Sequence, residues 1–430
     1  MLRRALSLAT TILALHLASG GAVAAPLGER PNPVDDELVR MGKAIPGFGG
    51  MFYDAEGYPT VYLRDPGAKA ALSALKSLGS GVRVLPGEYE FGQLVTWKRA
   101  LHPLLGRPGV VYLDADEASN RVVVGIDAAF QAKSRIREDL SKELESHGVP
   151  TAAVVYRETG SFREAVGVMR MEDLEKNLEK KPAAATANLQ GNVRPVPGGV
   201  QVTFIKQPYI YFCTDTVNAY LDGAFGFVTN SHCTSDRGKV DGTRYTQGDP
   251  YGADIATEIA DPDYQTGGDC PAGRKCRFSD SAFARYDGAA TIAGFRKLAR
   301  TTGRGTEEGS LVLKPAATRF NVAGAGAAPF TGQVVNKIGR TTGWTYGPVV
   351  ATCVDVNSSA TEFTIWCQHL VQAGTDGGDS GSPVFSWTKG NNVTLLGVLW
   401  AGGSDGQGHT LFAFSPFASI QDELGALRIK

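Results

Sequence analysis

The first 212 residues contain no cysteine; all six cysteines of the 430-residue chain lie between positions 213 and 367. Disulfides therefore cannot staple the N-terminal half, which must rely on an apolar core, whereas the C-terminal half can be cross-linked in an oxidising compartment. An excess of either charge is also lacking: 43 Lys and Arg face 44 Asp and Glu, for a formal net charge of −1. No overall field marks the chain for nucleic acid or for an anionic membrane surface, and neither is expected as a partner. Past the N-terminus no apolar run approaches the ~20 residues that span a bilayer. HExxH is missing and the cysteines lack paired CxxC spacing, so a zinc site is the lesser alternative to disulfides, and neither metal nor cofactor is expected.

At the N-terminus, Arg3 and Arg4 precede an apolar run from Ala5 to Leu17 and the small-residue stretch Ala22-Val23-Ala24-Ala25. This is the pattern of a secretory signal peptide over residues 1–25, and it predicts a secreted, soluble product. At roughly 150 residues per domain the chain is long enough for two or three domains. Residues 26–180 read as an α+β domain built twice on one plan, a hairpin followed by a helix. The first copy is Met51-Phe52-Tyr53, a turn at Asp54-Ala55-Glu56-Gly57 and Val61-Tyr62-Leu63, then a helix with Leu72, Leu75 and Leu78 on one side. The second is Val110 to Leu113, an acidic turn, and Val122 to Val124, then a helix from about Gln131 to Ser146 striped by Ile136, Leu140 and Leu144 and a returning strand from Val149 to Tyr156. Residues 161–180 read as a charged helix. Residues 181–197, beginning Lys181-Pro182-Ala183-Ala184-Ala185, read as a linker open to proteolysis, with cleavage expected between Lys180 and Gly199. Residues 198–430 are mostly β: short apolar runs broken by Gly and Asn turns, closed by a helix around Pro416 to Leu427.

Chemistry concentrates in this second half. Gly378-Asp379-Ser380-Gly381-Ser382-Pro383 sets a serine among glycines. Such a turn leaves the backbone N–H groups of Gly378 and Ser380 free to bind a developing oxyanion. A serine needs a base and an orienting acid. His232 ends the apolar run Gly226-Phe227-Val228-Thr229-Asn230-Ser231, and Asp280 stands in Arg277-Phe278-Ser279-Asp280-Ser281-Ala282. Asp254, in Gly252-Ala253-Asp254-Ile255, is the alternative acid.

The order His232, Asp280, Ser380, with Gly339-Arg340-Thr341-Thr342-Gly343-Trp344 ahead of the serine and Leu399-Trp400-Ala401-Gly402-Gly403 after it, resembles the chymotrypsin-like serine peptidases. It resembles in particular the secreted bacterial branch, with streptogrisins and alpha-lytic protease, over residues 198–430. The resemblance implies a double β-barrel with its site in the cleft, a His232–Asp280–Ser380 triad and an acyl-enzyme. The α+β domain would be a pro-domain that aids folding or inhibits. Gly374, Thr375, Ala401, Gly402 and Gly403 would bind substrate; the glycines suggest an open slot suited to a large apolar or aromatic side chain. Arg340 would be the internal partner of Asp379. Six cysteines allow fifteen pairings; the resemblance favours the local one, Cys213–Cys233, Cys270–Cys276 and Cys353–Cys367. The partners expected are protein or peptide substrates and the chain's own N-terminal domain, on a monomer. The competing reading is a catalytically silent secreted binding protein on a peptidase scaffold.

Overall fold

The computed structural model describes residues 33–76, 81–178, 187–288, 294–359 and 361–429. The expected signal peptide lies outside them, as do residues 179–186, which include the last two residues of the expected α+β domain and the start of the expected 181–197 linker. Among the described residues no helix is long and apolar enough to cross a membrane.

In the N-terminal half the turn chemistry acts as the sequence suggests. Asp54 Oδ1 accepts from the N–H groups of Glu56 (3.1 Å) and Tyr58 (2.9 Å), and Gly57 adopts φ 80°. The strands on either side, Phe48–Tyr53 and Pro59–Leu63, therefore pair antiparallel, and Arg83–Pro86 adds parallel to the second. The helix that follows is shorter than expected, Lys69–Leu75. It sets Leu75 into the core but leaves Leu72 39% exposed, and Leu78 falls outside the described residues. Two helices not anticipated, Pro33–Ala44 and Phe91–Ala100, bring Val34, Leu38, Phe91 and Leu94 to the same core. The second hairpin, Val110–Asp116 with Arg121–Asp127, is followed by the helix Ile136–Ser146, whose Ile136, Leu140 and Leu144 are all buried. The strand Val154–Thr159 then returns parallel to Arg121–Asp127.

The C-terminal half holds two β systems. One is a five-stranded antiparallel sheet in the order 217–221, 224–229, 282–286, 256–260, 244–245. The other is built on the long strands Gly343–Asn357, Phe363–Val371 and Asn392–Ser404 with Val334–Gly339, Pro383–Ser386 and Thr410–Pro416. Phe227, Val228, Phe283 and Val398 are buried in one apolar core, which the final helix Phe417–Leu424 closes with Phe417, Ile420 and Leu424. The disulfides are Cys213–Cys233, Cys270–Cys276 and Cys353–Cys367.

The two halves share a sheet: Leu113 and Tyr112 pair antiparallel with Asp355 and Val356. Side chains reinforce the join. The buried Lys98 ammonium donates to Asp35 (3.2 Å) and to the carbonyl of Cys353 (2.7 Å), and Asn357 Nδ2 donates to the carbonyls of Leu105 and Val110.

One local expectation is corrected. Residues 161–170 are not the start of a helix; Arg163–Glu164 and Gly167–Arg170 are strands, and the helix is Met171–Leu178. Charge pattern suggested a helix, but β-branched Val166 and Val168, Gly167 and two available sheet edges favour extended backbone. Glu164 pairs with Ala401 and Arg163 with Gly402, while Gly167–Arg170 pairs antiparallel with the strand Tyr209–Thr214.

Candidate active site

His232 sits on a one-turn 3₁₀ segment, Ser231–Cys233, at the end of the strand Ala224–Thr229. Three contacts fix that turn. Cys233 is bonded to Cys213, Tyr245 Oη donates to the Cys233 carbonyl (2.9 Å), and Asn230 Nδ2 donates to the Asp280 carbonyl (2.6 Å). The imidazole then bridges the two β systems, with Nδ1 2.5 Å from Asp280 Oδ2 and Nε2 2.7 Å from Ser380 Oγ. Asp254 is elsewhere, paired with Arg244 at 2.9 Å.

Asp280 is fully buried. Besides the histidine it accepts from the His232 backbone N–H, from Tyr264 Oη (3.2 Å) and from Arg237 Nη2 (3.1 Å). Burial works against its charge, but Arg237 and His232 outweigh it and hold the carboxyl well below the usual range. Asp280 is thus an acceptor only, which fixes the Nδ1–H tautomer and leaves Nε2 to accept from Ser380.

The loop bearing Ser380 admits no alternative to glycine at two points. Gly378 has φ 108°, and a Cβ there would lie 2.5 Å from Arg340 Cδ; Gly381 has φ 91°, and a Cβ would lie 1.8 Å from the Thr214 carbonyl. Between them Asp379 is fully buried, and its partner is Lys337, not Arg340. Lys337 Nζ lies 2.8 Å from Asp379 Oδ2, and Thr342 Oγ1 (2.6 Å) and the Thr341 N–H (2.9 Å) also donate to the carboxylate. Arg340 instead donates to Gln201 Oε1 (2.8 Å) and lies over the Phe212 ring, so its guanidinium points away from the carboxylate. Burial raises the Asp379 carboxyl and Lys337 more than offsets it, leaving it below its ordinary value.

The backbone N–H groups of Gly378 and Ser380 converge on one atom, the carbonyl oxygen of Ala165, at 2.6 and 2.9 Å. The Ala165 N–H donates to the Trp400 carbonyl (3.0 Å), continuing the ladder that Arg163 and Glu164 form with Gly402 and Ala401. A segment of the chain's own N-terminal half therefore lies extended across the cleft. Gly402 and Gly403 make room beside it: a Cβ on Gly403 would meet the Phe162 ring at 2.9 Å. The open slot expected at Gly374 is absent. The Gly374 N–H donates to the Thr306 carbonyl (2.7 Å), and a Cβ there would lie 1.7 Å from the Glu307 carbonyl oxygen. Thr375 is close to Gly402, with its Cγ2 2.9 Å from where a Cβ would stand. The Ala165 methyl is buried in a cluster that includes Val371, Ala373, Val384 and Leu399.

Several of these residues were not legible. Ala165 and Glu164 looked helical. Lys337 stands in the apolar strand Val334–Gly339, where a lysine is itself a signal of a buried partner. Arg237 follows His232-Cys233 in a stretch that reads as a polar loop, and nothing in its sequence neighbourhood marks it as buried.

No protein-family model matches the chain, and a search of curated proteins finds no match either. Among solved structures, Thermobifida fusca protease A is 22% identical, covering 54% of this chain and 97% of its own, at a TM-score of 0.37. The alpha-lytic protease homolog N4 is 23% identical over 55% of this chain and 99% of its own (TM-score 0.38), and Nocardiopsis protease 20% identical over 54% and 97% (TM-score 0.38). The chain is thus similar to chymotrypsin-like serine proteases of bacteria over about half its length.

Proposed function

We propose that this chain is a secreted serine endopeptidase made as a precursor, and that its first substrate is its own Ala165–Val166 bond. The observation that carries the reading is the Ala165 carbonyl held by the N–H groups of Gly378 and Ser380 beside the His232–Ser380 hydrogen bond. In the reaction, His232 Nε2 takes the Ser380 hydroxyl proton as Oγ bonds to the Ala165 carbonyl carbon. The two N–H groups stabilise the oxyanion, and the imidazolium, steadied by Asp280, gives its proton to the Val166 nitrogen as the C–N bond breaks. A water then takes the place of the amine, with His232 again as base, and releases the new carboxylate of Ala165 from Ser380.

Two features of specificity follow. The residue before the cut is small and apolar, because Gly374 is packed against the 306–307 backbone and leaves no deep slot. This replaces the large or aromatic side chain expected from the glycines alone. The first cut also falls upstream of the 181–197 linker, since Ala165–Val166 is the bond brought to the serine. Until that bond is cut, and while the N-terminal half stays bound through the shared sheet, the cleft is blocked, which is the inhibitory role expected of a pro-domain.

Intact-mass measurement of the secreted protein, with and without a fluorophosphonate probe, tests the reading on wild type and Ser380→Ala. The expected result is a new N-terminus at Val166 and a probe adduct in wild type only. A wild-type chain that is secreted full-length, and that takes up no probe even after limited proteolysis of its N-terminal half, would favour the silent binding protein instead.

A further inference from the structure

Glu164 is the residue next to Ala165 on the acyl side of the cleft, and its carboxylate is turned toward buried partners. Its Oε1 accepts from Arg237 Nη1 (2.7 Å) and from Ser358 Oγ (2.5 Å), with both ionic side chains largely buried. Burial raises the Glu164 carboxyl, but Arg237 first and His232 second bring it below its ordinary value, so the group is ionised where it sits. Arg237 is itself built in. Nε donates to Tyr264 Oη (2.9 Å), Nη2 to Asp280 (3.1 Å), and the guanidinium lies 3.9 Å from the centre of the Phe363 ring. A planar fork held on three sides offers its remaining edge, Nη1, to whatever follows the ladder along Ala401.

We propose that Arg237 is a specificity-determining residue, selecting substrates with an acidic side chain immediately before the small residue at the cut. The inference rests on the peptidase reading and adds to it. Arg237 contacts both Asp280 and the incoming carboxylate, so an acidic side chain there completes the charge set around the triad. A neutral one leaves Nη1 without its acceptor, and a basic one is repelled. Charge-assisted hydrogen bonds between buried groups correspond to a discrimination of about 10- to 100-fold. Ser358, on the loop after the strand Gly343–Asn357, supplies a second donor that a lysine could not use.

The test takes wild-type protein expressed as the full chain and allowed to process. It compares kcat/KM for peptides spanning residues 161–170 with Glu, Gln or Lys before the alanine. The Glu peptide should exceed Gln by about 10-fold or more, with Lys lowest. Equal values for Glu and Gln overturn the assignment of Arg237 while leaving the peptidase reading intact. Failure to cleave any peptide, together with no fluorophosphonate adduct, overturns both. A second measurement needs no added substrate. The self-processing rate is followed in full chains carrying Glu164→Gln, Arg237→Gln or both, which separates recognition from the effect of Arg237 on Asp280. Recognition predicts that the double variant is slowed far less than the product of the two single effects, whereas strictly multiplicative effects would sink the proposal.

Discussion

Replacing Lys337 by methionine should destabilise this protein far more than replacing Arg340 by alanine, although the sequence singled out Arg340. Lys337 and Asp379 are both fully buried and 2.8 Å apart. Lys337→Met keeps the chain length and apolar stem but strands an ionised carboxylate. Breaking one side of a buried pair costs about 3–5 kcal/mol. Asp379 keeps the Thr341 and Thr342 N–H groups and the Thr342 hydroxyl as donors, which puts the expectation at the lower end, about 3 kcal/mol. For 430 residues that unfold together, at about 2.1 cal/mol/K of unfolding entropy per residue, each kcal/mol shifts Tm by ~1 °C, so a drop of about 3 °C is expected. Arg340→Ala loses a hydrogen bond to Gln201 and a contact with the Phe212 ring, about 1–2 kcal/mol together. Both variants are to be made on a Ser380→Ala chain, so that self-cleavage does not enter, and compared by thermal and denaturant unfolding. Adding Asp379→Asn to Lys337→Met should recover a good part of the loss, because the stranded charge is gone. A Lys337→Met chain within ~1 kcal/mol of its parent, or one no worse than Arg340→Ala, would refute the assignment of the pair.

Three further outcomes are expected. Gly378→Ala, placed where φ is 108° and a Cβ would meet Arg340, should displace a donor of the oxyanion cradle and slow fluorophosphonate labelling about 10²–10³-fold, which time-resolved mass spectrometry would measure. Asp280→Asn should reduce self-processing by about 10⁴-fold, while Asp254→Asn, at the exposed pair with Arg244, should leave it near wild type; comparable effects of the two would contradict the geometry. The contact between the halves should weaken as pH rises. Burial and the Asp116 charge raise the Glu117 carboxyl from 4.5 to about 8, and its Oε1 accepts from Thr331 and Thr352 of the other half. A folded-state value above the unfolded one means that its contribution is fully present below pH 4.5 and is lost as pH rises through about 8. In a Ser380→Ala chain, the hydrogen-exchange protection factors of the 110–116 strand, with the intrinsic base-catalysed rate divided out, should therefore fall between pH 6 and 9, and Glu117→Gln should flatten that trend.

What could be seen in the sequence was what local chemistry dictates. A serine between glycines, a histidine capping an apolar strand and an aspartate before small residues each declare themselves within a few positions. So do the Asp54 turn and the Ile136-Leu140-Leu144 stripe. What stayed hidden was set by neighbours far along the chain. Residues 163–170 carry no strong preference of their own and become strands because Ala401–Gly402 and Tyr209–Phe212 offer edges to pair with. The choice of Lys337 over Arg340 depends on which side of a strand faces the loop, and burial of Arg237 depends on Tyr264 and Phe363 arriving from elsewhere. Gly374 misled for the same reason: a glycine can mark an open space or a close approach, and here the 306–307 backbone fills the space.

The strand across the cleft and the serine beneath it belong to one covalent chain. Occupancy is thus set by tether geometry, an effective concentration that no dilution of the sample lowers. A single scission changes the order of the problem: the blocking strand becomes a separate molecule, held only by the affinity of the shared sheet, and dilution or competing substrate can then displace it. An uncut chain should be equally silent at nanomolar and micromolar concentration, whereas a cut one should wake as it is diluted.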